Sequence, residues 1–323
     1  MNGYNIKDRI FALAAAAAVS AALSGCGSVA ASGTEPAGTE LADAQLADAQ
    51  PAASQEAEES GFRIVSSFYP MQVLTLNLVK DIDGVTAVSM SAPDIGCIHD
   101  HTFSTEDLRK IEDADVFVEN GLGLETFNDR IKTAYPDTAV IEAASQVTDA
   151  PADEDEVNGH VWTSIDDYIL EVKHVSSELQ TLDPAHRDSY AENERIYTEK
   201  LEKLKSDNSA VLEKLRGKKA LVLDETLPSF CVFAGMDTIT IETDHEQEAL
   251  SAGDIAKAVD EMKEQGIGMI LISADSDSSA ADAVAAETGA KVYRINSCMT
   301  GEENADAYLT QMQESFDILS EIE

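Results

Sequence analysis

The chain has 323 residues, 44% of them hydrophobic, and a formal net charge of −39 from 61 acidic against 22 basic side chains. That length holds two α/β domains of ordinary size, each with its own core. A surface this acidic repels nucleic acid and anionic lipid, so no nucleic-acid partner is expected, and it raises the concentration of cations around the molecule.

At the N-terminus, Lys7 and Arg9 precede an apolar run from Ile10 to Leu23 that ends in Leu23-Ser24-Gly25-Cys26. A basic start, a short apolar stretch and small residues before a processing point describe an export signal over residues 1–25, too short to remain as a spanning helix. The ending resembles the lipobox of bacterial lipoproteins, which implies lipidation of Cys26. Residues 26–61 are mostly Ala, Ser, Glu, Gln, Gly and Pro, with Leu41-Ala42-Asp43-Ala44-Gln45 repeated at once as Leu46 to Gln50. Such a segment has little to bury and is expected to be a disordered tether. About 35 flexible residues span roughly 30 Å r.m.s..

An N-terminal α/β lobe is expected over 62–147. Arg63 to Phe68 reads as a strand, Met71 to Asp81 as a helix and Thr86 to Met90 as a second strand. Between that strand and a helix opened by Ser104-Thr105-Glu106-Asp107 lies the densest ligand-bearing stretch of the chain, Gly96-Cys97-Ile98-His99-Asp100-His101. Open α/β sheets place binding residues between a strand end and a helix start. Imidazoles beside carboxylates suit one wall of a transition-metal site; a polar surface loop whose histidines meet only water is the competing reading. Asp115–Glu119 and Thr138–Glu142 read as further strands, with a helix near Leu124–Tyr135 between them.

Residues 148–183 open as an acidic linker, Asp149 to Glu156, and pass into Asn158-Gly159-His160-Val161-Trp162, which holds the only tryptophan. His160 reads either as a ligand or as a buried histidine bonded to backbone. Ser164–Leu182 is helical in pattern. The run from Pro184 to Leu215, inside a segment 184–217, is predicted to form one helix with Pro184 in its first turn and Gly217 as its stop. Some 32 residues would extend about 48 Å, enough to span both halves. His174 and His186 lie on these helical segments and are expected to be exposed. A C-terminal lobe follows over 218–323, with strands at 219–223, 238–242, 269–273 and 291–295 and helices between and after them. Near-continuous apolar strands alternating with helices predict parallel sheets covered on both faces. The expected fold is therefore α/β, two lobes with parallel sheets joined by a single long helix.

Four segments of this chain together resemble a known family, the solute-binding lipoproteins of zinc and manganese ABC importers (cluster A-I or cluster 9, zinc-uptake type). Ser66-Ser67-Phe68-Tyr69-Pro70 is similar to its T-x-F-Y-P opening. Gly96 to Asp100, followed by Ser104 and Asn120-Gly121-Leu122-Gly123-Leu124-Glu125, resembles its P-H-D/E and N-G-L segments. Asn158 to Trp162 looks like N-P-H-V-W, and the long helix comes next. The resemblance covers the chain from about Arg63 onward. It implies metal ligation by His99 and His160, with a third ligand after the first strand of the second lobe at Asp224 or its neighbour Glu225. The family's fourth position falls near Asn296 to Cys298, where no carboxylate stands. His245, in the loop Glu242-Thr243-Asp244-His245-Glu246, is a candidate to compensate for Asp224 standing where the family has an imidazole, with a solvated loop histidine as the competing reading. Cys97 and Cys298 flank the first and fourth ligand positions, so a disulfide between them is expected, with a thiolate ligand as its rival. Cys231, within Phe230-Cys231-Val232-Phe233, reads as a core thiol.

The function implied is capture of a divalent metal, Zn²⁺ favoured with Mn²⁺ or Fe²⁺ possible, between two lobes, and its delivery to an ABC permease and its ATPase. No catalytic residue is assigned. The protein is expected to be an extracytoplasmic monomer, lipid-anchored to the bacterial cell membrane. Two alternatives use the same residues: a metal-dependent hydrolase with an open water position, or a surface adhesin with a structural metal.

Overall fold

The computed structural model describes residues 61–102, 104–153, 156–240 and 251–322. The export signal, Cys26, the tether and His245 lie outside the described residues. Among those described, no helix is long and apolar enough to cross a membrane.

The first lobe runs β1 (Phe62–Ser66), α1 (Tyr69–Leu78), β2 (Val85–Ser89), α2 (Thr105–Glu112), β3 (Val116–Glu119), α3 (Asn128–Ala134) and β4 (Ala139–Glu142). Its sheet has the order β2-β1-β3-β4, with every pair parallel. Helix α1 begins two residues before the expected Met71 because Pro70 sits in its first turn, where a missing N–H is not needed. Ser104 and Asp107 form a reciprocal cap at the start of α2, the hydroxyl accepting from the Asp107 N–H at 3.1 Å and the carboxylate accepting from the Ser104 N–H at 2.8 Å. That cap pins the far end of the Cys97–His101 loop.

A short hairpin of β5 (Ala152–Asp153) and β6 (Glu156–Val157) follows. Then come α4 (Ile165–Leu182), α5 (Arg187–Asp207) and α6 (Ser209–Leu215). The single helix expected over 184–215 differs in two respects. Pro184 stands past the end of α4 rather than in the first turn of α5, whose N-cap is His186. The run divides at Asn208, whose side-chain amide adds a bond to the Leu204 carbonyl at 2.9 Å beside that of its own backbone N–H and donates to Gln313 at 2.9 Å. His186 is half-buried, its Nδ1 2.6 Å from Asp183, and His174 is half-buried as well, so neither is exposed as expected.

The second lobe contains β7 (Lys219–Val222), α7 (Pro228–Phe233), β8 (Asp237–Thr240), α8 (Ala252–Gln265), β9 (Met269–Ser273), α9 (Ser279–Thr288), β10 (Lys291–Ile295) and α10 (Ala307–Ser320). Its parallel sheet has the order β10-β9-β7-β8. Strand β9 is buried along its whole length, as a strand covered on both faces must be.

The helical segment joins the lobes by touching both. Asn193 of α5 donates to the carbonyls of Leu78 and Lys80 at 2.9 and 2.8 Å, and Lys200 pairs with Asp306 at 3.0 Å. Lys205 near the end of α5 meets Asp166 at the start of α4, so α4 lies antiparallel along α5. One continuous apolar cluster runs from Ile64 and Phe68 of the first lobe through Trp162, Tyr168 and Tyr197 to Tyr308 and Phe316 of the second. Tyr168 and Tyr308 stack at 4.0 Å in its middle. A smaller cluster around Leu221, Ile270, Ile272 and Met262 backs the second sheet.

Candidate metal centre

Three connecting segments meet where the lobes face each other: the loop after β2, the turn before α4 and the turn after β7. Cys97 stands at the N-cap of the 3₁₀ turn Ile98–Asp100, closed by the His101 N–H donating to the Ile98 carbonyl at 3.0 Å. Ile98 is fully buried in the first-lobe core, which anchors the turn and leaves Cys97 and His99 on its two sides. The Cys97 Sγ lies 2.8 Å from His99 Nδ1 and 3.1 Å from His160 Nε2. Glu225 Oε1 lies 3.4 Å from His99 Nε2 and 3.8 Å from His160 Nε2. One donor atom from each of Cys97, His99, His160 and Glu225 falls within 4.8 Å of all the others.

The geometry fixes the tautomer of His160. Its backbone N–H donates to Asn158 Oδ1 at 2.9 Å, which identifies that atom as the amide oxygen, and His160 Nδ1 lies 2.9 Å from the same atom. An amide oxygen only accepts, so Nδ1 carries the proton and Nε2 turns its lone pair toward Cys97 and Glu225. The other end of Asn158 donates from Nδ2 to the Glu225 carbonyl at 2.8 Å. A second link across the lobes runs from the Thr163 hydroxyl to the Thr226 carbonyl at 3.0 Å. Burial, reinforced by repulsion from His99 and only partly offset by Asp224, lowers the His160 pKa to about 3. The ring is therefore neutral at any physiological pH, the state a metal requires of it. Its side chain is 5% exposed, against 30% for His99 and 48% for Glu225, so the cluster has a buried floor and an open rim.

Trp162 clamps this floor. Its ring packs edge-on against Phe68 at 5.2 Å, and its Nε1 donates to the Ser297 carbonyl of the second lobe at 2.9 Å. Tyr308 in turn donates to the Trp162 carbonyl at 2.8 Å.

Of the residues expected from the sequence, His99, His160 and Glu225 come together and Asp224 does not. The Asp224 Oδ1 accepts from the N–H of Thr226 at 2.9 Å and from its hydroxyl, while Oδ2 accepts from the hydroxyl of Ser276 and from the N–H of Ser273 at 3.4 Å. Asp224 thus braces the turn that presents Glu225. The expected bridge between Cys97 and Cys298 is not formed. The Cys97 thiol is directed at the two imidazoles, whereas Cys298 is buried at a left-handed φ of 56°, within electrostatic reach of Tyr69, Tyr197 and Tyr308 in the lobe seam. Cys231 is a buried thiol, pushed up to about 12 by desolvation. His101 turns away to Asp107 at 3.1 Å, and against the cost of burial the bonds from Ser104 and His101 hold the Asp107 carboxyl below its usual range. Asn296, in the stretch Asn296 to Cys298 expected to hold the family's fourth position, donates to Gln311 and Glu314 of α10. The bracing role of Asn158 is not apparent from sequence; its one signal is its place two residues before His160.

Two parallel-sheet lobes bridged by helices, with nitrogen, sulfur and oxygen donors converging at their seam, define the class of metal-binding solute-binding proteins. The sequence model of the family described as "Zinc-uptake complex component A periplasmic" (ZnuA) matches residues 64–322, and the chain belongs to this family of extracytoplasmic solute-binding proteins. It is 26% identical over 278 residues to the high-affinity zinc uptake system protein ZnuA of Bacillus subtilis, covering 80% of this chain and 86% of that protein. It is 24% identical over 264 residues to the manganese-binding lipoprotein MntA of Halalkalibacterium halodurans, covering 80% and 87%. The solute-binding protein FpvC of Pseudomonas aeruginosa, solved in complex with Ni²⁺, superposes with a TM-score of 0.71 at 27% identity, covering 80% of this chain and 94% of that one. These relatives are named for different metals, so the metal of this chain has to be argued from its own donors.

Proposed function

We propose that this protein captures Zn²⁺ at the lobe seam, through His99 and His160 from one side and Glu225 from the other, and hands it to an ABC permease powered by its ATPase. The observation that carries this reading is the convergence of donors from three chain segments onto one point. A zinc ion with bonds of about 2.0–2.1 Å to nitrogen and oxygen and about 2.3 Å to sulfur has tetrahedral edges of about 3.3–3.6 Å. The 3.4 and 3.8 Å separations of Glu225 from the two imidazoles are near those edges, and the Cys97 sulfur, at 2.8 and 3.1 Å from the same two rings, lies inside them. Mn²⁺ and Fe²⁺ remain chemically possible cargo at such donors, but the Irving–Williams order puts zinc above both. The half-exposed Glu225 forms the rim through which the ion enters and leaves. No catalysis is required: the imidazoles and the carboxylate serve as ligands, with none assigned to acid–base work.

The rest of the chain suits delivery at a membrane. Cleavage before Cys26 and lipidation of that residue would hold the molecule at the outer face of the cell membrane, with residues 26–61 as its tether. A monomer fits a carrier that must present its open rim to a permease.

Competition titration of the purified protein against a zinc chelator tests the reading. Loss of an outer-shell partner costs about 10–100-fold in metal affinity, so His99→Ala and His160→Ala, which remove direct donors, should each cost at least that. Unchanged zinc affinity in both variants would contradict it.

A further inference from the structure

Cys97 stands beside the histidine–carboxylate set, and its sulfur lies within hydrogen-bonding distance of both imidazoles. It lies 2.8 Å from His99 and 3.1 Å from His160, within the same 4.8 Å cluster as Glu225. The backbone holds it there: Cys97 takes an extended conformation at φ −74°, ψ 136°, and the turn that follows is seated on the fully buried Ile98. The oxygen donors that would make a site hospitable to a harder ion are committed elsewhere. Asp224 is held by Thr226, Ser273 and Ser276, Asn296 is turned toward α10, and Asp275 accepts from Thr300 at 3.0 Å and from Ser297 at 3.4 Å. Among the described residues, Glu225 is the one carboxylate in the cluster.

We propose that Cys97 is the specificity-determining ligand: its sulfur completes a Cys-His-His-Glu set that selects Zn²⁺ over Mn²⁺. The inference rests on the capture reading above and adds the identity of the fourth donor. On binding, the S–H bond is exchanged for a sulfur–metal bond and the proton leaves to solvent, so no oxidant or reductant is involved. Thiolate is a soft, polarisable donor that favours zinc, whereas manganese favours carboxylate, carbonyl and water oxygens in six-coordinate shells. Three soft or borderline donors against one hard one, all within 4.8 Å of one another, disfavour manganese on both ligand type and coordination number.

The test loads the purified protein and its Cys97→Ser variant with Co²⁺, then measures Zn²⁺ and Mn²⁺ affinities of both. A sulfur-to-cobalt charge-transfer band in the near ultraviolet is expected in the unaltered protein and should be absent from Cys97→Ser. Zinc affinity in the variant should fall by about 10–100-fold or more, the minimum set by loss of an outer-shell partner. Manganese affinity should stay within about threefold, well inside one decade of binding constant. The spectrum of the unaltered protein needs no substitution, so a poorly folding variant does not remove the test. A cobalt form without the band while zinc still binds, or an unchanged zinc-to-manganese ratio in Cys97→Ser, overturns the role of Cys97 and leaves the capture reading standing. Failure of the unaltered protein to bind either zinc or cobalt overturns both.

Discussion

Asn158 positions two donors at once, since its oxygen fixes the His160 ring and its nitrogen holds the main chain of Glu225. Outer-shell groups of this kind set the tautomer and aim of a ligand, and their loss costs about 10–100-fold in affinity. Asn158→Ala is therefore expected to weaken zinc binding by that factor while the folded structure survives, as measured by chelator competition alongside circular dichroism. An affinity equal to that of the unaltered protein would mean that packing alone orients His160. At this scale the sequence was partly legible. His99 and His160 were visible as imidazoles in short, polar, motif-bearing loops, and the choice lay open between Asp224 and Glu225, adjacent oxygen donors. What decides between them is the capture of Asp224 by Ser273 and Ser276, residues 49 and 52 positions away, and no local pattern reports such a contact. Cys97 was visible too, but a cysteine near a metal loop reads equally as a bridge or as a ligand until its neighbours are known.

The strands and helices were the most legible level, because buried parallel strands read as apolar runs and the helices carry capping residues such as Ser104 and Ser251. The two departures both fall in the joining segment. The helix divides at Asn208, whose side-chain amide shares the Leu204 carbonyl with its own N–H, and Pro184 follows α4 instead of opening α5. Strand β3 carries a further consequence at its end. Glu119 is fully buried, with Asn128 on one oxygen and no partner on the other, and burial followed by repulsion from Glu125 raises its pKa from 4.5 to about 8, despite the opposing pull of Lys132. Since the folded pKa lies above the unfolded one, the folded state binds the extra proton between these values. Stability from this group is thus complete below about pH 4.5 and is lost as pH rises through about 8. Urea unfolding of Glu119→Gln should match the unaltered protein near pH 5 and exceed it by about 2–4 kcal/mol near pH 8. Equal pH dependence in the two would show that the carboxyl ionises freely in the folded state.

Across the whole molecule, the metal cluster and the lobe seam are one structure. The core passes without interruption from Ile64 to Phe316, and the Tyr168–Tyr308 stack and the Trp162–Ser297 bond lie just behind the cluster. Tight packing of this kind resists wide hinge opening of the seam. The acidic charge of the chain raises the concentration of cations around the whole molecule. The central claim is that residues from both lobes bind a single ion. X-ray absorption at the zinc edge of the zinc-loaded protein tests it most directly. A four-coordinate shell is expected, with two imidazole nitrogens and one oxygen at about 2.0–2.2 Å and one sulfur at about 2.3 Å. A six-coordinate, all-oxygen shell without imidazole scattering would contradict it.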